Sequence, residues 1–169
     1  MNVGFTSFDV LNTSVIDETK ECLLFEVSTP KCGHPPTTIK NAAGEVIGEY
    51  EPKFPKAKIT LNGYTTALSE WLPKKNPMAT ERILTLPNGK VYIWKQKWTG
   101  SFKLFPIDAP KDAEPVVETH NAQLRLFKVK RYGGMCVDLD LMPFLDAILL
   151  SFIVCERECQ DRATGIATT

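Results

Sequence analysis

The sequence predicts a mainly β fold: about twelve antiparallel strands forming a barrel, with one apolar C-terminal helix through it or against it. Three observations carry this expectation. Short runs rich in β-branched and aromatic residues recur along most of the chain, separated by twelve prolines and ten glycines. Two Asn-Gly pairs, Asn62-Gly63 and Asn88-Gly89, sit between such runs, and Asn-Gly supplies the positive φ angles of a tight hairpin turn. One long apolar run, Leu141–Cys155, stands near the end and is followed by the charged stretch Glu156–Arg162.

The strands are expected at Phe5–Leu11, Cys22–Ser28, Thr37–Lys40, Glu45–Tyr50 and Lys56–Leu61. The last of these alternates lysine with apolar residues, the period of two that marks a half-buried strand. Arg82–Leu86 and Lys90–Trp94 flank the second Asn-Gly and form the clearest hairpin. Ser101–Phe105, Glu114–Glu118, Gln123–Lys130 and Met135–Leu139 follow. Pro73–Pro77 and Pro106–Pro115 read as loops. Residues 1–4 and 164–169 read as loose ends of a single domain covering residues 1–169. The helix is expected from Pro143 to about Asp161, with proline in its first turn. Its first turns are apolar all round, so it belongs in a core or in a membrane. A membrane span needs about 20 apolar residues, and the run is shorter and contains Asp146. A buried helix is therefore expected, with no integral membrane span.

Composition excludes some classes. The chain has 169 residues, 43% of them hydrophobic, which is enough for a core without metal or disulfides. The net charge is zero, so a general nucleic-acid binder is not expected. No basic, apolar leader opens the sequence, and five cysteines at irregular spacing do not read as a disulfide framework. Both point to the cytoplasm. Cys32 and His34 give half a zinc pattern with no second pair, so no metal and no cofactor are expected.

Short strands followed by one apolar helix resemble the tubby-C-terminal-like domains, a group that includes LURP-one-related proteins and phospholipid scramblases. Within that group the sequence is most similar to an uncharacterised family of short proteins from basidiomycete fungi. The matching positions are Leu11-Asn12-Thr13 with Asp17, Ser28-Thr29-Pro30, Thr37-Thr38-Ile39 and Ile47-Gly48-Glu49. The most specific stretch is Leu86–Lys95, and the helix adds Leu145, Asp146, Ile148, Ser151, Phe152 and Glu156. These are turn and core positions. The resemblance implies the barrel-and-helix fold and carries no catalytic residue with it.

Charge is uneven along the chain. Residues 1–51 carry a net −5, residues 52–137 a net +9 and the remainder −4. Two basic stretches lack acids: Arg82–Pro106, and Asn121–Val137. Alternation along the strands places Lys95 and Lys97 on one face of the first, and Lys128 and Lys130 on one face of the second. With Trp94 and Trp98 these six residues form the candidate ligand site, suited to anionic lipid headgroups or a phosphorylated small molecule. No nucleophile motif, phosphate-binding loop or placed histidine base is present, so no catalytic residue is assigned and whether the chain is an enzyme is left open. A non-catalytic binding or interaction module, for such headgroups or for a protein partner, is the leading reading. The alternative is an enzyme or carrier for a small, largely apolar molecule in a pocket at the barrel end, lined by aromatics such as Trp71, Trp94 and Trp98.

Overall fold

The computed structural model describes residues 1–31, 35–52, 56–120 and 132–165. Among these residues, twelve strands form one antiparallel sheet. β1 (Asn2–Phe5), β2 (Thr13–Asp17), β3 (Cys22–Ser28), β4 (Thr37–Asn41), β5 (Val46–Glu51), β6 (Lys58–Leu61) and β7 (Tyr64–Ala67) form a first meander. The short helix α1 (Leu68–Trp71) follows. β8 (Arg82–Thr85), β9 (Val91–Gln96), β10 (Phe102–Pro106), β11 (Val117–His120) and β12 (Gly134–Val137) form a second meander. The meanders join where β1 pairs with β12. The two strands approach so closely at Gly134 that a Cβ there would lie 2.6 Å from the Val3 carbonyl oxygen. A 3-10 helix, Leu139–Phe144, which contains Pro143, then leads into α2 (Leu145–Ala163).

Helix α2 is the axis of the molecule. Leu145 and every residue from Ala147 to Cys155 are buried, so from Ala147 to Cys155 no face of the helix meets water. Contacts reach it from strands across the whole sheet order. Phe152 stacks on Phe5 of β1 at 5.9 Å and meets Phe102 of β10 edge-on. Leu150 lies against Gly48 of β5. The Trp94 indole of β9 donates to Ser151 Oγ at 2.9 Å. A sheet that touches one helix from β1, β5, β9 and β10 must roll around it. Inward residues such as Val15, Val27, Ile39, Ile59, Leu84 and Leu104 are all nearly inaccessible and complete the core.

The roll is not a closed barrel, which corrects the expectation from the sequence. β7 and β8 are the two edges of the sheet and do not pair with each other. The reason lies in residues 68–82. The chain leaves β7 into α1, and the returning segment bonds to the start of β8: Ile83 N–H donates to Pro73 O at 2.8 Å, and Lys75 N–H to Glu81 O at 3.0 Å. The edge that β7 would need is thereby occupied. Arg82 sits inward beneath this seam. Its guanidinium makes a two-pronged ion pair with Glu158 of α2, with Nε donating at 2.9 Å, and also donates to the Leu72 carbonyl. Both side chains are buried.

Several strand boundaries differ from those read in the sequence. Phe5–Leu11 is not a strand beyond Phe5. Asp9 accepts from the Leu11 N–H at 3.0 Å and from the Asn12 amide at 2.8 Å, and this side-chain turn replaces ladder bonds. Residues 2–4 are not loose but belong to β1, between β2 and β12. β2 and β7 are strands that the sequence pattern does not mark, and β11 begins at Val117, beyond Pro115. The strand expected at Gln123–Lys130 lies outside the described residues. The hairpin turn at Asn62-Gly63 holds the expected positive φ angles, 49° and 84°, and Asn62 donates to Asp146 at the start of α2 at 2.7 Å.

Because all pairings are antiparallel, successive connections alternate between the two ends of the roll. The end where α2 starts carries the tight turns 18–21, 42–45, 62–63 and 86–90 together with the 107–116 connection. The end where α2 finishes carries the connections 6–12, 68–81 and 97–101, and β3, β5 and β11 end there. Long loops on a rigid frame are the usual place for function.

The seam supplies a test. Glu158→Gln leaves the Arg82 charge buried with half its partner, and breaking a buried pair costs about 3–5 kcal/mol. Lys75→Gln breaks the exposed Lys75–Glu81 pair, at 3.0 Å, and such pairs are worth about 0–1 kcal/mol. Urea unfolding is expected to show a large loss for the first variant and almost none for the second.

Candidate functional site

Strand β9 separates the sequence-predicted site residues by parity. Tyr92 and Trp94 point inward and are buried, whereas Lys95 is on the outer face and exposed. Trp94 is therefore a core residue bonded to Ser151, on the opposite face from Lys95. Lys95 and Lys97 do share the outer side. Lys128 and Lys130 lie outside the described residues. Trp98 stands in the β9–β10 connection and is 96% exposed.

The structure adds residues to this face. In the register of the sheet, Lys95 lies opposite Lys103 of β10, and Lys103 opposite Glu118 of β11. Lys103 and Lys97 converge on the Glu118 carboxylate at 2.9 and 3.3 Å. The hydrogen bond from Lys103 holds Glu118 below the usual carboxylate range, and the same bond raises Lys103. Two of the three lysines thus share one acid. Lys95 makes no ion pair among the described residues and instead lies over the Phe105 ring, 5.0 Å from its centroid. Beside it is a cavity of about 210 Å³ with Ile83, Ile93 and Phe105 in its wall and Lys75, Lys95 and Lys111 among its lining residues. Lys103 belongs to the acid-free stretch, and the β9–β10 register brings it beside Lys95. Glu118, Lys75 and Lys111 come from other parts of the chain, and only strand register and loop path bring them here.

A second cavity, of about 190 Å³, opens at the loop-bearing end of the roll. Phe5, Phe8, Phe152, Thr119, His120 and Glu156 are among its lining residues. Phe5 and Phe152 are buried, while Phe8 is half exposed and braced edge-on by Tyr132 at 4.9 Å. Glu156 accepts from the Gln160 amide at 3.0 Å and has no cationic partner among the described residues. Burial pushes its carboxyl above the ordinary range, and nearby Asp9 adds to the push. No tryptophan lines this cavity, contrary to the expectation for a pocket at the barrel end; Trp71 packs against the core instead.

No cluster of three or more His, Cys, Asp or Glu side chains able to hold a metal ion occurs among the described residues. Among them, no helix is long and apolar enough to cross a membrane. Cys22, Cys136, Cys155 and Cys159 are free thiols, and burial drives the Cys155 thiol pKa far upward. Cys32 and His34 lie outside the described residues.

Comparison with known proteins gives a family. The profile of a family of unknown function (DUF6593) matches residues 8–161. No curated protein matches the chain. A solved X-ray structure of a protein from Arabidopsis thaliana is similar over 88% of each chain, with 15% identity and a TM-score of 0.45.

The state of Glu156 has a consequence for stability. A folded carboxyl pKa raised above its unfolded value gives the native state an advantage that is fully present below the unfolded pKa and is lost as pH rises through the folded pKa. Glu156→Gln keeps an acceptor for Gln160 and removes the charge. The variant is expected to melt above the parent protein at neutral pH, with the difference vanishing below about pH 4. Thermal unfolding across that range checks it.

Proposed function

The chain belongs to the family of unknown function (DUF6593), and we propose that it is a non-catalytic binding module that docks on anionic lipid headgroups. On this reading it is a cytoplasmic protein of the tubby-C-terminal-like and LURP-one-related kind, akin to the basidiomycete fungal group. The matching turn and core residues, Leu86–Lys95 above all, support that kinship. The free thiols agree with a reducing compartment.

One observation carries the docking surface. Trp98, almost fully exposed, projects from a hairpin whose strands present Lys95, Lys97 and Lys103 on one face. Indole rings favour the boundary between water and lipid, where an apolar body and a polar N–H are both accommodated. Lysines beside such an anchor gain about 1 kcal/mol each at an acidic leaflet. Glu118 offsets part of this, and Lys95 is the lysine left to meet a phosphate. The apolar wall formed by Ile83, Ile93 and Phe105 gives the same face room for an acyl or glycerol segment.

Vesicle sedimentation tests the proposal. Vesicles of phosphatidylcholine with phosphatidylserine should bind the protein, and pure phosphatidylcholine should not. Binding should weaken with added salt, by about fivefold for Lys95→Gln, and should drop for Trp98→Ala while folding is unchanged. No binding at low salt, or binding indifferent to salt and to both changes, contradicts the reading. Binding of inositol phosphate without binding of vesicles would replace the membrane by a soluble ligand.

A further inference from the structure

We infer that the cavity at the loop-bearing end of the roll is a binding site for a small organic cation, an ammonium group carried on an aromatic body. The site is separate from the lysine face and of opposite sign, and none of its described lining residues is lysine or arginine.

Its floor is aromatic and fixed. Phe5 and Phe152 stack nearly parallel, 7° apart, and Phe102 presses on Phe152 edge-on at 5.9 Å. These rings are held by the core, so a ligand meets a surface that is already formed. Phe8 supplies a wall. It is 52% exposed yet held by the edge contact with Tyr132. Ring faces attract cations, and aromatic cages for ammonium groups exploit this.

The single charged group in the lining is Glu156, on the same face of α2 as Phe152, one turn further along. A half-buried carboxylate next to phenylalanine rings, with one amide donor, has acceptor capacity left over. An ammonium N–H is the complementary donor, and the pair would be stronger here than in water because the rings exclude solvent. The raised carboxyl agrees with this electrostatic setting: a cation beside Glu156 would lower it again. A volume of about 190 Å³ admits one ring and a short amine, not a lipid tail or a nucleotide. Ser7, Thr119 and His120 offer polar contacts for substituents.

Titration of the full chain, followed by heteronuclear NMR, tests the inference with 2-phenylethylammonium chloride as probe and 2-phenylethanol as its neutral counterpart. The ammonium is expected to bind saturably with Kd on the order of 1 mM or below, shifting the amides of Ser7, Gly100, Thr119 and Gly133. Phenylethanol should bind at least about tenfold more weakly, as a charge-assisted bond of about 1.5–3 kcal/mol requires. Glu156→Gln should reduce the ammonium to the affinity of the alcohol, and Phe8→Ala should weaken both. Equal affinity for the two probes, an unchanged affinity in Glu156→Gln, shifts confined to other parts of the sheet, or no saturable binding in that range would each overturn the assignment.

Discussion

A helix buried on every side from Ala147 to Cys155 can exist only inside an enclosure, and the rest of this structure follows from that requirement. Helix α2 presents Leu145, Ile148, Leu149, Leu150, Phe152 and Ile153 in all directions, so a flat sheet packed on one face would leave apolar surface in water. Twelve short strands curving around one helix solve the problem, because each strand contributes a few inward side chains to the axis. The same geometry explains why the chain ends its sheet at β12 beside β1. The N-terminal strand and the last strand meet, and the helix then returns through the centre.

The second half of α2 sets a different problem. After Cys155 the helix carries Arg157, Glu158 and Asp161, all buried. Glu158 is matched by Arg82 across the seam, and Arg157 lies 3.5 Å from Asp161 on the next turn. Tyr50 of β5 stands in the same field, its hydroxyl pKa pushed strongly upward by burial and by Glu158. Charge rather than apolar packing therefore lines the mouth of the roll on this side, while the side facing Phe5 and Phe8 is walled by aromatic rings with Ser7, Thr119 and His120 and holds one carboxylate, Glu156. The two sides of one mouth differ in chemistry because residues 156, 157 and 158 of a helix point in different directions. The seam between β7 and β8 lies on the charged side, where the Arg82–Glu158 pair takes the place of ladder hydrogen bonds.

Local features of the sequence were sufficient for much of this. The β8–β9 hairpin, the Asn62-Gly63 turn and the burial of the all-round apolar helix were legible because each depends on neighbours in the chain, whereas at Asn88-Gly89 only the glycine takes a positive φ. The period of two also put Lys95 on the face opposite Trp94, and the structure has the two on opposite faces. Its own logic assigned Trp94 to the opposite face with Tyr92, and grouping Trp94 with the lysines by proximity in sequence overrode that parity. Phe5–Leu11 misled because its apolar residues mimic a strand, whereas Asp9 organises the segment through side-chain bonds. The open seam was not legible, since it rests on contacts between residues 76 apart. Neither cavity could be read, because Phe8, Thr119 and Glu156 meet only when the sheet has rolled.

Native-state hydrogen exchange tests the central role of the helix most directly. If α2 is the axis on which the sheet depends, the amides of Ile148–Cys155 should exchange only through global unfolding. Their opening free energy should equal that from urea denaturation and fall together with it on Leu150→Ala, a change that costs about 2–5 kcal/mol. Exchange of those amides through a local opening, while Val15, Ile39 and Leu104 in the strands stay protected, would mean that the sheet stands without the helix and would contradict this account.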